Sequence, residues 1–349
     1  MLSMEQNQEV RILITITTRQ TSSTPPALAK ATLHYLLRSP HSAILFRKAR
    51  KMRILQKAFL KCDVLLRGCL VAGIAAAAGT RSHKTGNQDV HFVAQFMQEG
   101  PVDGNPLWRF LPRRTVACVG VFDGHGPEGR EAARIAAATA KNCIARGMLL
   151  GRRDLKEVLG AAMKEVAKVL DESAVSLYGG TTGSVVVMRG GKVVMAHVGD
   201  SAITLWAKNG KHQADGSLLK HKSQNHGLDV LEERLRVERA KGSIEGSYIA
   251  DVSIQRGLAV TRSFGDISFR KYGCTTKADV VEMDIARGDT LVLASDGLWD
   301  DSRVSMENVG DLVKKYRKQP HRLASRLLRE TEGVEQPWDD TTIICVTRT

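Results

Sequence analysis

Along this chain, apolar runs of strand character keep meeting an aspartate at one end, and that repetition constrains the fold more than any other feature. Thr115 to Phe122 runs into Asp123, Val193 to Val198 reaches Asp200 through Gly199, and Thr290 to Ser295 ends on Asp296. The pattern returns reversed where Asp339 and Asp340 open the run Thr341 to Val346, and Asp89 precedes Val90 to Val93. One such aspartate is most simply a turn or cap residue. If the strands share a sheet system with their ends aligned, six or seven carboxylates meet at one rim, Asp300 included because it follows Asp296 by one turn. Such a cluster repels itself unless a cation neutralises it. Oxygen-only ligands without cysteine select Mg²⁺ or Mn²⁺, with Ca²⁺ next in line. In Val121-Phe122-Asp123-Gly124-His125-Gly126 the glycines let a backbone carbonyl approach a metal, and His125 is placed to shuttle a proton.

The body around these acids reads as α+β. A chain of 349 residues with 43% hydrophobic content can build one large domain or two ordinary ones. Strand-type runs span Val71 to Ala78, Thr115 to Phe122, Ser184 to Met188, Lys192 to Val198, Ile203 to Trp206, Thr290 to Ala294 and Thr341 to Val346. Gly190-Gly191 marks a hairpin turn between two of them. Helical spacing and end signals predict helices over Pro127 to Met148, Leu155 to Val175, Leu228 to Lys241, Met306 to Tyr316 and His321 to Arg329. Hairpin strands interrupted by helices imply antiparallel sheets covered by helices. Met97 to Arg114 reads as an exposed insert. Six cysteines without a CxxC pair indicate neither a zinc site nor a redox motif, and suit a reducing compartment. The most apolar stretch, Val64 to Gly79, contains Arg67 and is short for a membrane span.

The net charge of +14 is unevenly placed. Up to Leu70 there are 12 Lys/Arg against Glu5, Glu9 and Asp63, a net of +9, which leaves +5 for the other 279 residues. Most of the basicity therefore belongs to an N-terminal extension (residues 1–70) rather than to the body (residues 71–349), so nucleic acid is not the expected partner. The acid-free stretch after Glu9 suits an organelle-targeting leader, a disordered tail or a basic amphipathic face equally well. A cytoplasmic or nuclear location, or organelle targeting by that extension, is the corresponding expectation.

The motifs, in order, resemble one known set. Val121 to Gly126, Val198-Gly199-Asp200-Ser201, Leu258 to Asp266 (Leu-Ala-Val-Thr-Arg-Ser-Phe-Gly-Asp), Ala294 to Asp300 (Ala-Ser-Asp-Gly-Leu-Trp-Asp) and Asp339-Asp340-Thr341-Thr342 are similar to those of the metal-dependent Ser/Thr protein phosphatases, the protein phosphatase 2C family. Gly179-Gly180-Thr181-Thr182 resembles that family's Gly-Ser/Thr-Thr step. The resemblance covers about Val71 to Thr349. It implies a four-layer α-β-β-α sandwich, two packed antiparallel sheets flanked by helices.

The resemblance also implies roles. Asp89, Asp123, Asp296 and Asp339, with the carbonyl of Gly124, would hold two Mg²⁺ or Mn²⁺ ions, and Asp200 and Asp300 a third, weaker one. Metal-activated water would attack a phosphoserine or phosphothreonine of a protein substrate, and His125 would protonate the departing oxygen. Lys84 stands where the family often has a phosphate-gripping Arg, so the charge stays and the bidentate fork is lost. Gln88 replaces a common Glu, and Gln224-Asn225-His226 stands where an Asp-His pair is common, in a flap region of about Ser217 to Gly257 that shapes substrate access. Arg262 and Asp266 read as an ion pair or turn support near the site, with Gln88 and Asp340 as further support; Trp299 reads as core. A monomer is expected. The competing class is a catalytically weak relative that binds phosphoproteins as a scaffold, and the intact acids favour the enzyme.

Overall fold

The computed structural model describes residues 62–66, 70–77, 86–98, 114–150, 152, 154–209, 217–253, 255–332 and 339–349. Lys84, residues 1–61 of the expected basic leader and most of the expected insert after Met97 lie outside the described residues.

Two antiparallel sheets form the centre. The six-stranded sheet runs in the order Cys62–Leu66, Leu70–Ala77, Thr341–Arg348, Thr290–Ala294, Ala202–Trp206, Leu219–Lys222. The five-stranded sheet runs Asp279–Asp284, Lys192–Val198, Gly183–Arg189, Arg114–Phe122, Val90–Gln98. The strand Cys62–Leu66, upstream of the expected start of the body at residue 71, is antiparallel to Leu70–Ala77. The Gly190-Gly191 turn joins Gly183–Arg189 to Lys192–Val198 as a hairpin, with Gly190 at φ 61°, where glycine carries no steric penalty.

Alternation along each strand sorts side chains into three apolar layers. Val119, Val121, Val186 and Met195 of one sheet meet Ile74, Leu205, Leu293 and Ile344 of the other, all buried. The opposite faces carry Val116, Cys118, Val185 and Val194, which pack on the helices Gly129–Leu149 and Leu155–Asp171. On the far side Ala75, Val292, Ile343 and Cys345 pack on Met306–Tyr316 and Pro320–Glu332. Strands buried on both faces read as unbroken apolar runs, which is why they were visible in the sequence. The result is the expected α-β-β-α sandwich.

The helices start where side chains can cap them. Asp154 accepts from the backbone N–H of Lys156 (2.7 Å) and Glu157 (3.2 Å), and Ser305 accepts from that of Asn308 (3.1 Å). Buried alanines at 132, 133, 136, 137 and 140 let Gly129–Leu149 lie close against its sheet. The expected helix through Val175 ends at Asp171, and a 3₁₀ turn, Ala174–Leu177, follows with Ser173 as its cap. Between the sandwich and the motif Leu258 to Asp266, a flap of three short strands (Ser243–Glu245, Tyr248–Asp251, Arg256–Leu258) and the helix Leu231–Arg239 closes a small core of Leu228, Val237, Ile249 and Phe269. No helix among the described residues is long and apolar enough to cross a membrane, and Cys118, Cys143, Cys274 and Cys345 are free thiols.

A Cβ on Gly73 would collide with the backbone of Pro320 and His321, so this glycine sets how closely the last helix approaches its sheet. We expect Gly73→Ala to cost about 1–3 kcal/mol, the usual range for overpacking. Thermal unfolding checks this, and an unchanged midpoint would contradict the packing.

Candidate active site

The strand register explains how distant aspartates meet. Val90 pairs with Phe122, so Asp89 and Asp123 leave the five-stranded sheet at the same end. Ala294 pairs with both Ile343 and Ala202, so Asp296, Asp339 and Asp200 leave the six-stranded sheet together. Asp200 lies in the turn that carries the chain from Lys192–Val198 in one sheet to Ala202–Trp206 in the other. Asp123, Gly124, His125, Asp200, Asp296, Asp339 and Asp340 line one pocket of ≈ 450 Å³, together with Gln88, Asp266, Tyr248 and Arg256. Asp89 and Asp300 are not among the residues that line it, though the charge of Asp89 reaches Asp123 and that of Asp339 reaches Asp300.

Backbone anchoring fixes these side chains. The Asp123 carbonyl accepts from Thr181 Oγ1 (2.9 Å) and Thr182 N (2.9 Å), and its N–H donates to Thr182 Oγ1 (3.1 Å). Thr181 and Thr182 thus hold Asp123, beyond serving their own turn. A three-stranded ribbon, Phe264–Gly265, Gly180–Thr181 and Gly124–His125, joins three motifs that are far apart in the chain. A Cβ on Gly124 would collide with the Gly129 carbonyl, so only glycine permits that approach. Asp89 Oδ2 accepts from Ser295 Oγ (2.8 Å), and Ser295 is locked by bonds to Thr342 N (2.9 Å) and from its own N–H to Thr342 O (3.1 Å). Gln88 N donates to Asp340 Oδ2 (2.8 Å) and Gln88 Nε2 to Gly126 O (3.0 Å), so both supporting residues brace the rim.

Like charges dominate the site's electrostatics. Burial, then Asp296, Asp89 and Asp200, hold the Asp123 carboxyl well above the usual carboxylate range; burial, Asp200 and Asp339 do the same to Asp296. Burial pushes Asp89 up to about 7 and Asp200 to about 6, and raises Asp300. Asp89 Oδ1 is buried with no hydrogen-bond partner among the described residues. As positioned, no three His, Cys, Asp or Glu side chains among the described residues already enclose a common point. Yet the donor set is all oxygen, mutually repelling and partly unsatisfied, which fits hard divalent cations.

His125 has a partner that the sequence reading did not give it. Its Nε2 lies 2.6 Å from Asp266 Oδ2, which also accepts from Ser263 Oγ at 2.7 Å. Desolvation opposes the charged ring, but the Asp266 carboxylate outweighs it and raises the His125 pKa; Asp266 is lowered against its own burial by His125. Asp266 sits at φ 49°, in the left-handed region that aspartate tolerates better than most residues, and a Cβ on Gly180 would collide with its carboxylate. Arg262 and Asp266 are therefore not each other's partners. Arg262 forms a fork on Glu233 (Nη2 to Oε1 2.6 Å, Nε to Oε1 3.0 Å) and bonds Asp279 (2.8 Å), which ties the flap helix to the sheet. Trp299 packs in the helix-covered core, its Nε1 donating to Ala294 O at 3.0 Å.

The sequence reading also missed Arg256, the one Lys or Arg among the described residues that line this pocket. Its Nη1 donates to Leu177 O (2.9 Å), which holds the guanidinium beside Gly126. No motif or spacing announces Arg256, because the fold of the flap alone brings it to the acids.

The sequence profile of the family described as Protein phosphatase 2C matches residues 79–333. Among curated relatives, Protein phosphatase 2C homolog 2 of Aspergillus fumigatus is 26% identical over 258 residues, covering 71% of this chain and 55% of that protein. Probable protein phosphatase 2C 11 of Arabidopsis thaliana is 30% identical over 187 residues, covering 53% of this chain and 47% of that protein. The chain thus spans about half the length of these curated relatives. Among solved structures, a serine-threonine phosphatase 2C from Toxoplasma gondii superposes with a TM-score of 0.64 at 20% identity, covering 83% of this chain and 98% of that one. A sex determining protein of C. elegans superposes with a TM-score of 0.59 at 17% identity, covering 94% and 76%. At these identities the structural matches speak for the fold.

In chelator, Asp296→Asn removes one member of a repelling set, so it raises the thermal midpoint. Mn²⁺ at about 100 times its Kd stabilises the native chain by about 2.7 kcal/mol and the variant by less. Differential scanning calorimetry with and without Mn²⁺ checks both; a variant that melts below the native chain in chelator would contradict the repulsion.

Proposed function

Because this chain belongs to the protein phosphatase 2C family, we propose that it is a metal-dependent protein serine/threonine phosphatase that hydrolyses phosphoserine and phosphothreonine in protein substrates. The observation that carries this reading is the convergence of carboxylates from separate chain segments on one pocket that also holds a His125–Asp266 pair. The folded unit of the proposal includes Cys62–Leu66, whose strand joins the six-stranded sheet.

Asp89, Asp123, Asp296, Asp339 and the Gly124 carbonyl would hold two Mg²⁺ or Mn²⁺ ions, and Asp200 and Asp300 a weaker third. When bound, the ions neutralise the acids, polarise phosphoryl oxygens and lower the pKa of water near neutrality. Asp266, an acceptor at neutral pH, takes the Nε2–H of His125 and leaves Nδ1 as the ring's proton-donating atom. His125 donates that proton to the departing Ser/Thr oxygen, which otherwise leaves as a poorly stabilised alkoxide. Asp266 favours the charged form of the ring and orients it. Arg256 supplies the flap-borne cation that faces the phosphoryl group, with a planar fork suited to two phosphate oxygens. Gln88 and Asp340 brace the rim without adding a ligand.

Asp123→Ala abolishes turnover. His125→Ala lowers phosphopeptide hydrolysis by about 10²–10⁴-fold, the usual worth of a general acid, and spares aryl phosphates, whose leaving group needs no proton. Steady-state assays on both substrates check the role, and equal losses would contradict it. Arg256→Ala raises KM for phosphopeptides more than it lowers kcat; an unchanged KM would remove Arg256 from phosphate binding. Phosphopeptide binding with no Mn²⁺-dependent hydrolysis at all would replace the phosphatase reading with a scaffold.

A further inference from the structure

We propose that His226 is a positioning residue that presents the Asp200 carboxylate to the cation centre by clamping the peptide of Gly199. This rests on the reading of Asp200 as a cation ligand and adds what sets that ligand's position.

The clamp is reciprocal. The His226 backbone N–H donates to Gly199 O (3.1 Å), and the Gly199 N–H donates to His226 Nδ1 (3.0 Å). Both polar groups of the residue before Asp200 therefore end on one residue, 27 positions away in the chain. Gly199 itself sits at φ 101°, and a Cβ there would press on Thr182 at 2.6 Å, so the turn is held in a shape that only glycine takes. On the other side of Asp200, Ser201 Oγ bonds Thr182 Oγ1 at 2.7 Å, and Thr182 also receives the Asp123 N–H. One flank of Asp200 thus shares an anchor with Asp123, and the other depends on His226.

The ring's chemistry follows from its partners. An acceptor at Nδ1 requires the tautomer with hydrogen on Nε2, and Nε2 lies 3.1 Å from Asp279 Oδ2, which takes that hydrogen. Asp279 is held by Arg262 Nη1 (2.8 Å), and Arg262 is forked on the buried Glu233 of the flap helix. The His226 carbonyl accepts from Thr261 N (2.8 Å) and Thr261 Oγ1 (2.9 Å). The ring stacks on His197 at 4.8 Å between centroids and is fully buried. Burial, then Arg262, lowers the His226 pKa, in keeping with a neutral ring. A chain of contacts therefore runs from flap helix to Asp200: Glu233, Arg262, Asp279, His226, Gly199.

Two amide replacements separate positioning from packing. His226→Asn keeps an acceptor where Nδ1 stood and gives up the reach to Asp279. His226→Gln keeps that reach and loses the acceptor. Mn²⁺ titration of the full chain by calorimetry reads the weakest binding event, with thermal unfolding in chelator as the folding control. The expected result is a loss of about 10- to 100-fold in that affinity for His226→Gln, the usual worth of an outer partner of a ligand, and retention within about threefold for His226→Asn. Packing alone predicts the reverse order, since Asn leaves the larger hole. Where His226→Gln does not fold, Asp279→Leu on the half-exposed edge decides in its place: it frees the ring to carry hydrogen on Nδ1, against the Gly199 N–H, and weakens Mn²⁺ binding in the same direction. Asp200→Asn is the reference. If Asp200→Asn loses the weak event while His226→Gln or Asp279→Leu keeps it, the clamp is overturned and the cation reading stands. If Asp200→Asn binds Mn²⁺ like the native chain, both are overturned.

Discussion

Repulsion among buried carboxylates is the constraint on which the rest of this structure depends. Asp89, Asp123, Asp200 and Asp296 all have their charged forms disfavoured by burial, and the charge of Asp200 further disfavours those of Asp123 and Asp296. A chain gains no stability from such a cluster by itself. Two apolar sheets carry it, because their packing fixes strand ends to which the acids are attached. The glycines, threonines and serines around the rim serve the same end. They hold the backbone of Asp123, the side chain of Asp89 and the residues on either side of Asp200 against that repulsion.

Much of this was legible in the sequence because burial on both faces leaves a simple trace. Lys192–Val198 and Thr290–Ala294 are continuous apolar runs, and both strands have the bounds that the runs predict. Met306–Tyr316 likewise matches its helical spacing, with Ser305 as the cap. The rim acids were legible for the same reason, since each stands where an apolar run stops. Asp279–Asp284 was not, because an edge strand with exposed Asp and Glu has too little apolar signal to separate it from a loop. The flap strands of three or four residues were equally silent.

Pairings across the chain left no trace at all. His125 and Asp266 are 141 residues apart, and Gly199 and His226 are 27 apart. Nothing in spacing ties either pair together, and Asp266 looked like a partner for Arg262 only because the two are neighbours in sequence. The fold resolves this by giving each a separate job. Arg262 and Glu233 bind the flap to the sandwich, and Asp266 serves the imidazole. Among the described residues, Arg256 connects the flap inward to the pocket and His226 connects it to the Asp200 turn. A region that reads as substrate access in the sequence is thus mechanically joined to the acids.

The direct measurement is the anomalous scattering from crystals grown with Mn²⁺. The account predicts peaks at the pocket rim, within ligand distance of Asp123, Asp296 and Asp339. Peaks confined to other surfaces, with those three side chains unbound in the same crystals, would contradict it.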